Sequence, residues 1–463
     1  MNMKDEARMG LVINLIQQAL ISAYEENCPF RPVKSEKKSL RWTSELESLK
    51  MKVRRLFNKC RAGNNERSWD LYREAQQRYR KEVWRASKET WRTFCGSIND
   101  LPRAARLHRA LSRDPTIRLG SLVAPSGGRT QSKGETLDLL LATHFPNSIG
   151  LETGAIPVAA CRAKRMEWRV AARIITYHRV GRAINSFASY KSPGVDGILP
   201  ALLQEGQEIL IPYLVKIFHA CLATGYVPAI WHQVKVVFIP KPGRYSYYRP
   251  KDFRPTSLTS FLLKTMERLV DRFLRDEILA LQPLHPNQHA YQTGKSVETA
   301  LHQLAVRDEK ALDQQEMALG VFLDIEGAFN NTSYDFMCAA LTKHGVDSTT
   351  IIRWTKATLE GRLAVASLGG FPRSIAVSRG CSQGGVLSPL LWCLVADGLL
   401  ARLNEGGVYA QGYADDICLL VVGKFPNTVS GLMQWALHTV EAWCDELGLS
   451  VNPDETRLVV STR

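Results

Sequence analysis

Two adjacent aspartates near the C-terminal end of the sequence are the first residues that suggest a chemistry. Tyr413-Ala414-Asp415-Asp416 stands between Gly412 and the apolar run Ile417 to Val422, a pattern typical of a hairpin tip followed by a strand. Neighbouring carboxylates repel each other, and a bound divalent cation removes that repulsion. Alone the pattern is weak, because it arises by chance in roughly one chain in fifteen of this size. An ordinary type I turn is the alternative interpretation.

A third aspartate, Asp324, follows the apolar run Val321 to Leu323. A carboxylate at the end of a buried strand can reach a ligand outside the sheet. Asp324, Asp415 and Asp416 would together supply the oxygen ligands that hard cations such as Mg²⁺ prefer. Two such ions can align an attacking hydroxyl and stabilise a leaving pyrophosphate. We therefore predict a site for two Mg²⁺ ions, which Mn²⁺ can replace.

The elements that must position these residues are interleaved strands and helices. Short β-rich runs occur at 234–239, 318–325, 375–378, 417–422 and 458–461, and amphipathic helical runs at 258–281 and 429–447. Strands and helices joined by long connections predict an α/β or α+β body of about 270 residues, beginning near Lys191.

The N-terminal quarter differs in charge from this body. Residues 1–120 hold 26 Lys and Arg against 14 Asp and Glu, which accounts for 12 of the 15 net positive charges. Apolar positions spaced by three and four predict a helical hairpin from Trp42 to about Phe94, broken at Gly63-Asn64-Asn65. The positive charge favours a nucleic-acid partner, although a solvated basic surface is the alternative. The hairpin's aromatic residues are interpreted as packing between its helices or as a platform for bases.

Composition excludes several other classes of protein. The ten cysteines stand singly, without CxxC or zinc-finger spacing, which is typical of reduced thiols in an intracellular protein. No stretch is apolar and long enough to predict a membrane span or a signal peptide.

Three segments together resemble the palm motifs of reverse transcriptases. They are Asp324 with Phe329, the run from Arg379 to Pro389 (RGCSQGGVLSP), and Tyr413-Ala414-Asp415-Asp416. Four others are similar to the fingers motifs of non-LTR retrotransposons, in particular the jockey-like group: Lys191 to Gly197, Phe238 to Gly243, Asp252 to Pro255, and Gln288 to Tyr291. The resemblance covers about residues 190–463, and the basic segment before it resembles the linker of such elements.

The resemblance implies a right-hand polymerase fold of the α+β class, with helical fingers and an antiparallel palm sheet. A basic helical segment and linker (1–165) would precede the fingers (about 166–318) and the palm (about 319–463). The implied activity is RNA-directed DNA synthesis from an RNA template, a DNA primer and deoxyribonucleoside triphosphates. The implied location is nuclear, without a clear targeting signal.

The resemblance also assigns roles to individual residues. Asp324, Asp415 and Asp416 would bind the metal ions, and Lys241 and Arg254 would hold the incoming triphosphate. Phe329 would exclude a ribose 2′-OH, with a plain core residue as the alternative. Gln383 and Gly384 would lie against the nascent base pair, with a plain turn as the alternative.

Some positions depart from the family pattern: Ser382, Thr256, Thr293, Val297 and Glu455. Most consequential is Glu455, which stands where the family usually has a lysine that assists the leaving pyrophosphate. The sequence also lacks a recognisable thumb and endonuclease, so we expect a piece of a larger element protein. A catalytically weak nucleic-acid-binding remnant is therefore an alternative to an active enzyme. An RNA-directed RNA polymerase is a second alternative, and Phe329 argues against it.

Overall fold

The computed structural model describes residues 6–28, 43–63, 66–97, 119–124, 127–146, 148–150, 162–241, 246–346 and 349–462. Its first helices are α1 (Glu6–Asn27), α2 (Ser44–Gly63), α3 (Glu66–Gly96), α4 (Lys133–His144), α5 (Arg165–Ile174), α6 (Tyr177–Asn185), α7 (Pro200–Glu205), α8 (Gln207–Thr224) and α9 (Ala229–His232). The later helices are α10 (Phe261–Phe273), α11 (Val297–Asp313), α12 (Ala328–Asn331), α13 (Tyr334–Lys343), α14 (Thr349–Leu359), α15 (Ser388–Glu405) and α16 (Pro426–Leu447). A π-helical turn, Leu274–Ile278, follows α10.

The strands of the described residues form two sheets. These strands are β1 (Ile149–Gly150), β2 (Gln233–Pro240), β3 (Phe253–Leu258), β4 (Met317–Glu326), β5 (Arg362–Leu368), β6 (Phe371–Val377), β7 (Tyr409–Tyr413), β8 (Asp416–Gly423), β9 (Ser450–Val451) and β10 (Arg457–Ser461). The sheet that carries the aspartates has the order β10-β4-β8-β7, with β9 pairing beside the end of β4, and all its pairs are antiparallel. The predicted antiparallel palm sheet and the α+β class are confirmed.

Alternation along the end of β4 decides which side chains face the core. Leu323 and Ile325 are buried in the main core, whereas Phe322 is 39% exposed and Asp324 is half-buried. Successive side chains of a strand point to opposite faces, so burial of the odd-numbered residues turns Asp324 to the open face. Helices α15 and α16 cover the other face, where Leu419 and Val421 of β8 join the same core.

The second sheet has the order β1-β6-β5-β2-β3. Strands β2 and β3 come from the predicted fingers range, and the hairpin β5–β6 comes from the predicted palm range. β2 and β5 are parallel, and the other pairs are antiparallel. Helix α4 packs on β5 and β6 through Leu137 and Leu141.

Residues 29–118 form a separate compact unit. Within it, α2 and α3 pack against each other, and Phe57 of α2 lies 5.5 Å from Tyr72 and 6.4 Å from Trp69 of α3, measured between ring centroids. The predicted basic helical hairpin is confirmed, and these three rings pack between its helices. Trp84, by contrast, is 65% exposed, with the ammonium of Lys88 4.7 Å from its ring.

The other compact unit comprises residues 1–28 and 119–463. Met9 and Ile13 of α1 are buried in its core. The division between these two compact units therefore does not fall at residue 165, where the sequence analysis placed a boundary. The predicted boundaries of the fingers and the palm stay predictions. No helix among the described residues is long and apolar enough to span a membrane.

All five predicted strands are present, as β2, β4, β6, β8 and β10. Among the described residues, five strands were not predicted: β1, β3, β5, β7 and β9. The helix predicted to start at Leu258 begins at Phe261, because Leu258 still pairs with Lys235 of β2. The break at Asn64-Asn65, and Pro242-Gly243 of the fingers motif, lie outside the described residues.

Candidate active site

The turn between β7 and β8 carries two of the three aspartates. It has two residues between the paired ends Tyr413 and Asp416, with Ala414 at φ +58°. A positive φ at the first central residue fits the mirror-image turns that hairpins prefer, so the type I alternative is wrong. The carbonyl oxygen of Ala414 accepts a hydrogen bond from Nε1 of Trp392 at 2.5 Å. That of Asp415 accepts one from the backbone N–H of Ile325 at 3.1 Å.

The third aspartate lies on the neighbouring strand. Asp324 of β4 is the direct cross-strand partner of Asp416 of β8. Asn452 holds Asp324 from the other side, since its side-chain amide donates to Oδ2 at 3.1 Å and its backbone N–H donates to the Asp324 carbonyl at 2.9 Å. The pairing of β4 with β8 thus brings the aspartates to one end of the palm sheet.

The carboxylates influence one another. Burial, followed by repulsion from Asp324, raises the pKa of Asp415, although Arg254 and Lys241 oppose the increase. Burial, then repulsion from Asp415, Asp324 and Glu455 in that order, raises the pKa of Asp416 from 3.8 to about 6. Such crowding is the condition that a divalent cation relieves, so the donor chemistry fits one. Within the described residues, however, no three His, Cys, Asp or Glu side chains converge as a ready-made metal site.

Lys241 and Arg254 lie near these carboxylates, on the second sheet. Arg254 of β3 pairs with Ile239 of β2, and Lys241 follows β2 and donates its backbone N–H to the carbonyl of Asp252 at 2.8 Å. Both cations stabilise the charged form of Asp415. The charges of both residues thus act on the acidic end of the palm sheet, and their contact with a triphosphate stays a prediction.

Phe329 lies in α12, just beyond the end of β4. Its ring is half-buried and lies 6.2 Å from that of Trp392, with a 39° tilt between the planes. Its carbonyl oxygen accepts the backbone N–H of Cys381 at 2.6 Å. The ring packs against the main core, and its role as a sugar gate stays a prediction.

The loop with Gln383 and Gly384 lies against strand β3. The carbonyl of Gln383 accepts the backbone N–H of Ser257 at 2.8 Å. Gly384 has φ +117°, and a Cβ there would lie 2.8 Å from the carbonyl oxygen of Ser257. Only glycine satisfies both the dihedral angle and the close approach.

Buried charges that the sequence did not reveal hold this loop. The guanidinium of Arg362 donates to the carbonyls of Arg379 (2.7 Å) and Gly380 (2.5 Å) and to the hydroxyl of Ser382 (3.4 Å). Glu267 of α10 accepts the backbone N–H of Val386 at 2.8 Å. Ser382, which departs from the family pattern, therefore has a partner of its own in this chain. Arg362, Glu267 and Trp392 carried no local motif that could have marked them.

A groove of about 910 Å³ begins at the same loop. Six cations line it together with a single acid, Asp271, which pairs with Arg275 at 2.9 Å. The cations are Lys191, Lys264, Arg268, Arg272, Arg275 and Lys295, and the rings of Phe187, Phe261 and Tyr291 lie among them. Burial, then repulsion from Arg182 and Arg268, lowers the pKa of Arg272. The groove thus has an excess of positive charge that a polyanion would neutralise.

Residues 239–463 match the reverse transcriptase (RNA-dependent DNA polymerase) family. This part of the chain is a reverse transcriptase domain. The domain contains every predicted site residue, and the family depends on divalent metal ions.

Relatives of the reverse transcriptase domain come from non-LTR retrotransposons of Drosophila melanogaster. The RNA-directed DNA polymerase assigned to transposon BS is 30% identical over 61% of this chain and 32% of its own length. A 115 kDa protein assigned to type-1 retrotransposable element R1DM is 25% identical, over 90% of this chain and 40% of its own length. The RNA-directed DNA polymerase from mobile element jockey is 26% identical, over 61% and 31%. The chain spans about a third to two fifths of these relatives, and its similarity to the second includes most of the basic N-terminal segment.

Proposed function

We propose that this chain catalyses RNA-directed DNA synthesis for a non-LTR retrotransposon. The observation that carries the proposal is the pairing of Asp324 with Asp416 across two palm strands, with Asp415 in the adjoining turn. The positive charges of Lys241 and Arg254 act on Asp415 at this acidic end. Carboxylates beside cations suit a reaction that binds metal ions and a polyphosphate together.

In the proposed reaction, the primer 3′-hydroxyl attacks the α-phosphorus of a deoxyribonucleoside triphosphate and pyrophosphate leaves. Two bound Mg²⁺ ions, or Mn²⁺, would activate the hydroxyl and stabilise the charge on the leaving group. Asp324, Asp415 and Asp416 would hold the ions. Asn452 orients Asp324 through the hydrogen bond to Oδ2.

The remaining predicted residues would position the nucleotide. Arg254 and Lys241 would bind the triphosphate, with the planar guanidinium suited to bidentate contact with phosphate oxygens. Phe329 would occupy the space of a ribose 2′-OH. Gln383 and Gly384 would border the nascent base pair, where the missing side chain of Gly384 allows close approach.

We assign the template strand to the cationic groove. Its six cations would contact phosphates, and the exposed ring of Tyr291 would stack on a base. By resemblance the protein would act in the nucleus, on RNA template and DNA primer.

Reversing one groove charge, Arg268→Glu, should weaken template binding and reduce the salt dependence of affinity. Arg169→Glu, an equal charge change at an exposed residue of α5 outside the groove, is the control. Equal losses in both variants would contradict the assignment.

Primer extension on poly(rA) with an oligo(dT) primer, in Mg²⁺ and then in Mn²⁺, tests the reaction itself. Asp415→Asn and Asp324→Asn should abolish extension and weaken Mn²⁺ binding, measured from the electron paramagnetic resonance signal of free Mn²⁺. Asp445→Asn, a carboxylate of α16 absent from the groups that act on Asp415 and Asp416, should change neither quantity. Template binding without extension would instead favour the nucleic-acid-binding remnant. Extension that survives Asp415→Asn would refute the proposed site.

A further inference from the structure

The turn that presents Asp415 and Asp416 has a backbone conformation that its residues do not favour. Ala414 has φ +58°, whereas an L-residue with a Cβ prefers negative φ and glycine is the usual residue in such a position. A strained residue persists only where the surrounding structure fixes it. Contacts to Ala414 should therefore control how rigidly the two aspartates are presented.

One side chain makes such a contact from within the core. Trp392 lies in the first turns of α15, is 1% exposed, and donates its indole N–H to the Ala414 carbonyl at 2.5 Å. Its ring also lies 6.2 Å from Phe329 and 6.2 Å from Trp443. Trp392 thus touches the metal-binding turn and the candidate sugar gate at once.

Not every buried tryptophan of this chain makes such a bond. Trp231 and Trp354 are 1% and 0% exposed, yet the indole N–H of each has no hydrogen-bond partner among the described residues. The fold therefore tolerates a buried indole without a partner. The hydrogen bond from Trp392 is therefore more than a requirement of burial. Its acceptor is Ala414, the residue of the turn with positive φ.

We propose that Trp392 is a positioning residue for nucleotidyl transfer. Its hydrogen bond holds Ala414 in the left-handed conformation, so that Asp415 and Asp416 are presented toward Asp324. Its ring fixes the position of Phe329 relative to that turn. The inference rests on the proposed function, because it assumes that these aspartates bind the metal ions.

Trp392→Phe tests the inference by removing the donor and keeping an aromatic ring. We expect Mn²⁺ affinity to fall about tenfold, as for the loss of one hydrogen bond to a buried group, and the rate of single-nucleotide addition to fall with it. Affinity for primer–template should not change, since Trp392 does not line the groove. Trp354→Phe is the matched control: it removes an indole N–H that has no partner among the described residues, and it should leave both quantities unchanged.

A second substitution separates the hydrogen bond from packing. Glycine adopts positive φ without strain, so Ala414→Gly in the Trp392→Phe background should restore most of the lost Mn²⁺ affinity and rate. Ala414→Gly alone should have a smaller effect than Trp392→Phe alone. Urea unfolding of each variant, followed by circular dichroism, identifies any loss that comes from global destabilisation.

The outcomes distinguish this inference from the function on which it rests. If Asp415→Asn leaves Mn²⁺ binding and extension unchanged, the proposed site is wrong and the inference fails with it. If Asp415→Asn abolishes both while Trp392→Phe behaves like Trp354→Phe, only the inference is overturned. A Trp392→Phe defect that Ala414→Gly does not reduce would also overturn it, because the ring would then act through packing.

Discussion

Replacing Glu455 tests whether charge near the palm aspartates limits this chain. Burial is the largest cause of the raised pKa of Asp416, and three carboxylates add to it, of which Glu455 has the smallest effect. Asp416 is exposed, so water screens this repulsion and the contribution of Glu455 should stay below about a factor of ten. Glu455→Gln should therefore weaken metal binding at Asp416 by less than about tenfold, because one attracting negative charge is lost.

Glu455→Lys should have two effects of opposite sign. Metal affinity should fall further, since a positive charge now stands near the cation site. The rate at saturating metal should instead rise about ten- to a thousandfold, because the ammonium stabilises the pyrophosphate that the carboxylate repels. Single-turnover addition of one nucleotide, measured over a range of Mg²⁺ concentrations, separates the two effects.

The matched control for this pair is Asp454→Lys. It makes the same change of charge one residue away, at a carboxylate that is not among the groups acting on Asp416. We expect little change in either the rate or the metal concentration needed. If Glu455→Lys and Asp454→Lys gave the same rate at saturating Mg²⁺, the reasoning about the leaving group would be refuted.

Four further predictions use other parts of the chain. Phe329→Ala should raise ribonucleotide incorporation relative to deoxyribonucleotide about tenfold, and an unchanged ratio in an active variant would make the ring a core residue. Gly384→Ala should lower the free energy of unfolding, measured in urea, by about 3 kcal/mol. Gly370→Ala should lower it by only about 1 kcal/mol, because Gly370 also has positive φ but has open space around it. Equal losses would show that a Cβ at Gly384 does not clash with Ser257. Deleting residues 29–118 should reduce the slope of log affinity for RNA against log salt concentration. An unchanged slope would show that the basic helices do not contact phosphates. His344→Gln should destabilise the protein more at pH 6 than at pH 9. Burial lowers the pKa of His344, but the hydrogen bond to Asp397 outweighs burial, and the net pKa is raised. The stabilisation by the charged imidazole is therefore present below about pH 6.5 and is lost as the pH rises through the folded pKa.

Strands with apolar, β-branched residues were predictable, and the others were not. β4 and β8 are nearly continuous apolar runs ending or beginning at an aspartate, so both the strands and their chemistry followed from local sequence. β3 contains Pro255, which normally counts against a strand, but β3 is the last strand in its sheet, where a missing N–H is tolerated. β5 buries Ala364 and Ala366, small residues without a strong preference for strands.

The acidic residues of the candidate site were predictable because their motifs are local. The residues that support them depend on contacts far apart in the sequence. Asn452 reaches Asp324 across 128 positions, and Arg362 reaches Gly380 from the start of another strand. Trp392 reads as one more apolar residue of a buried helix until its indole N–H is seen to reach Ala414. Such partners have no spacing rule, so only the folded chain reveals them.

The parallel pairing of β2 with β5 bears on how this protein is made. Val236 of β2 pairs with Ala366 of β5, and the long segment between them includes β4. During synthesis, β2 must wait for β5 to emerge from the ribosome, with one edge lacking its native neighbour. An unpaired edge is a template for association with other chains, and pairing over so long a separation is slow to form. A nascent chain stalled between β4 and β5 should therefore be prone to aggregation, and chaperone binding in that interval would be expected to raise the yield of folded protein.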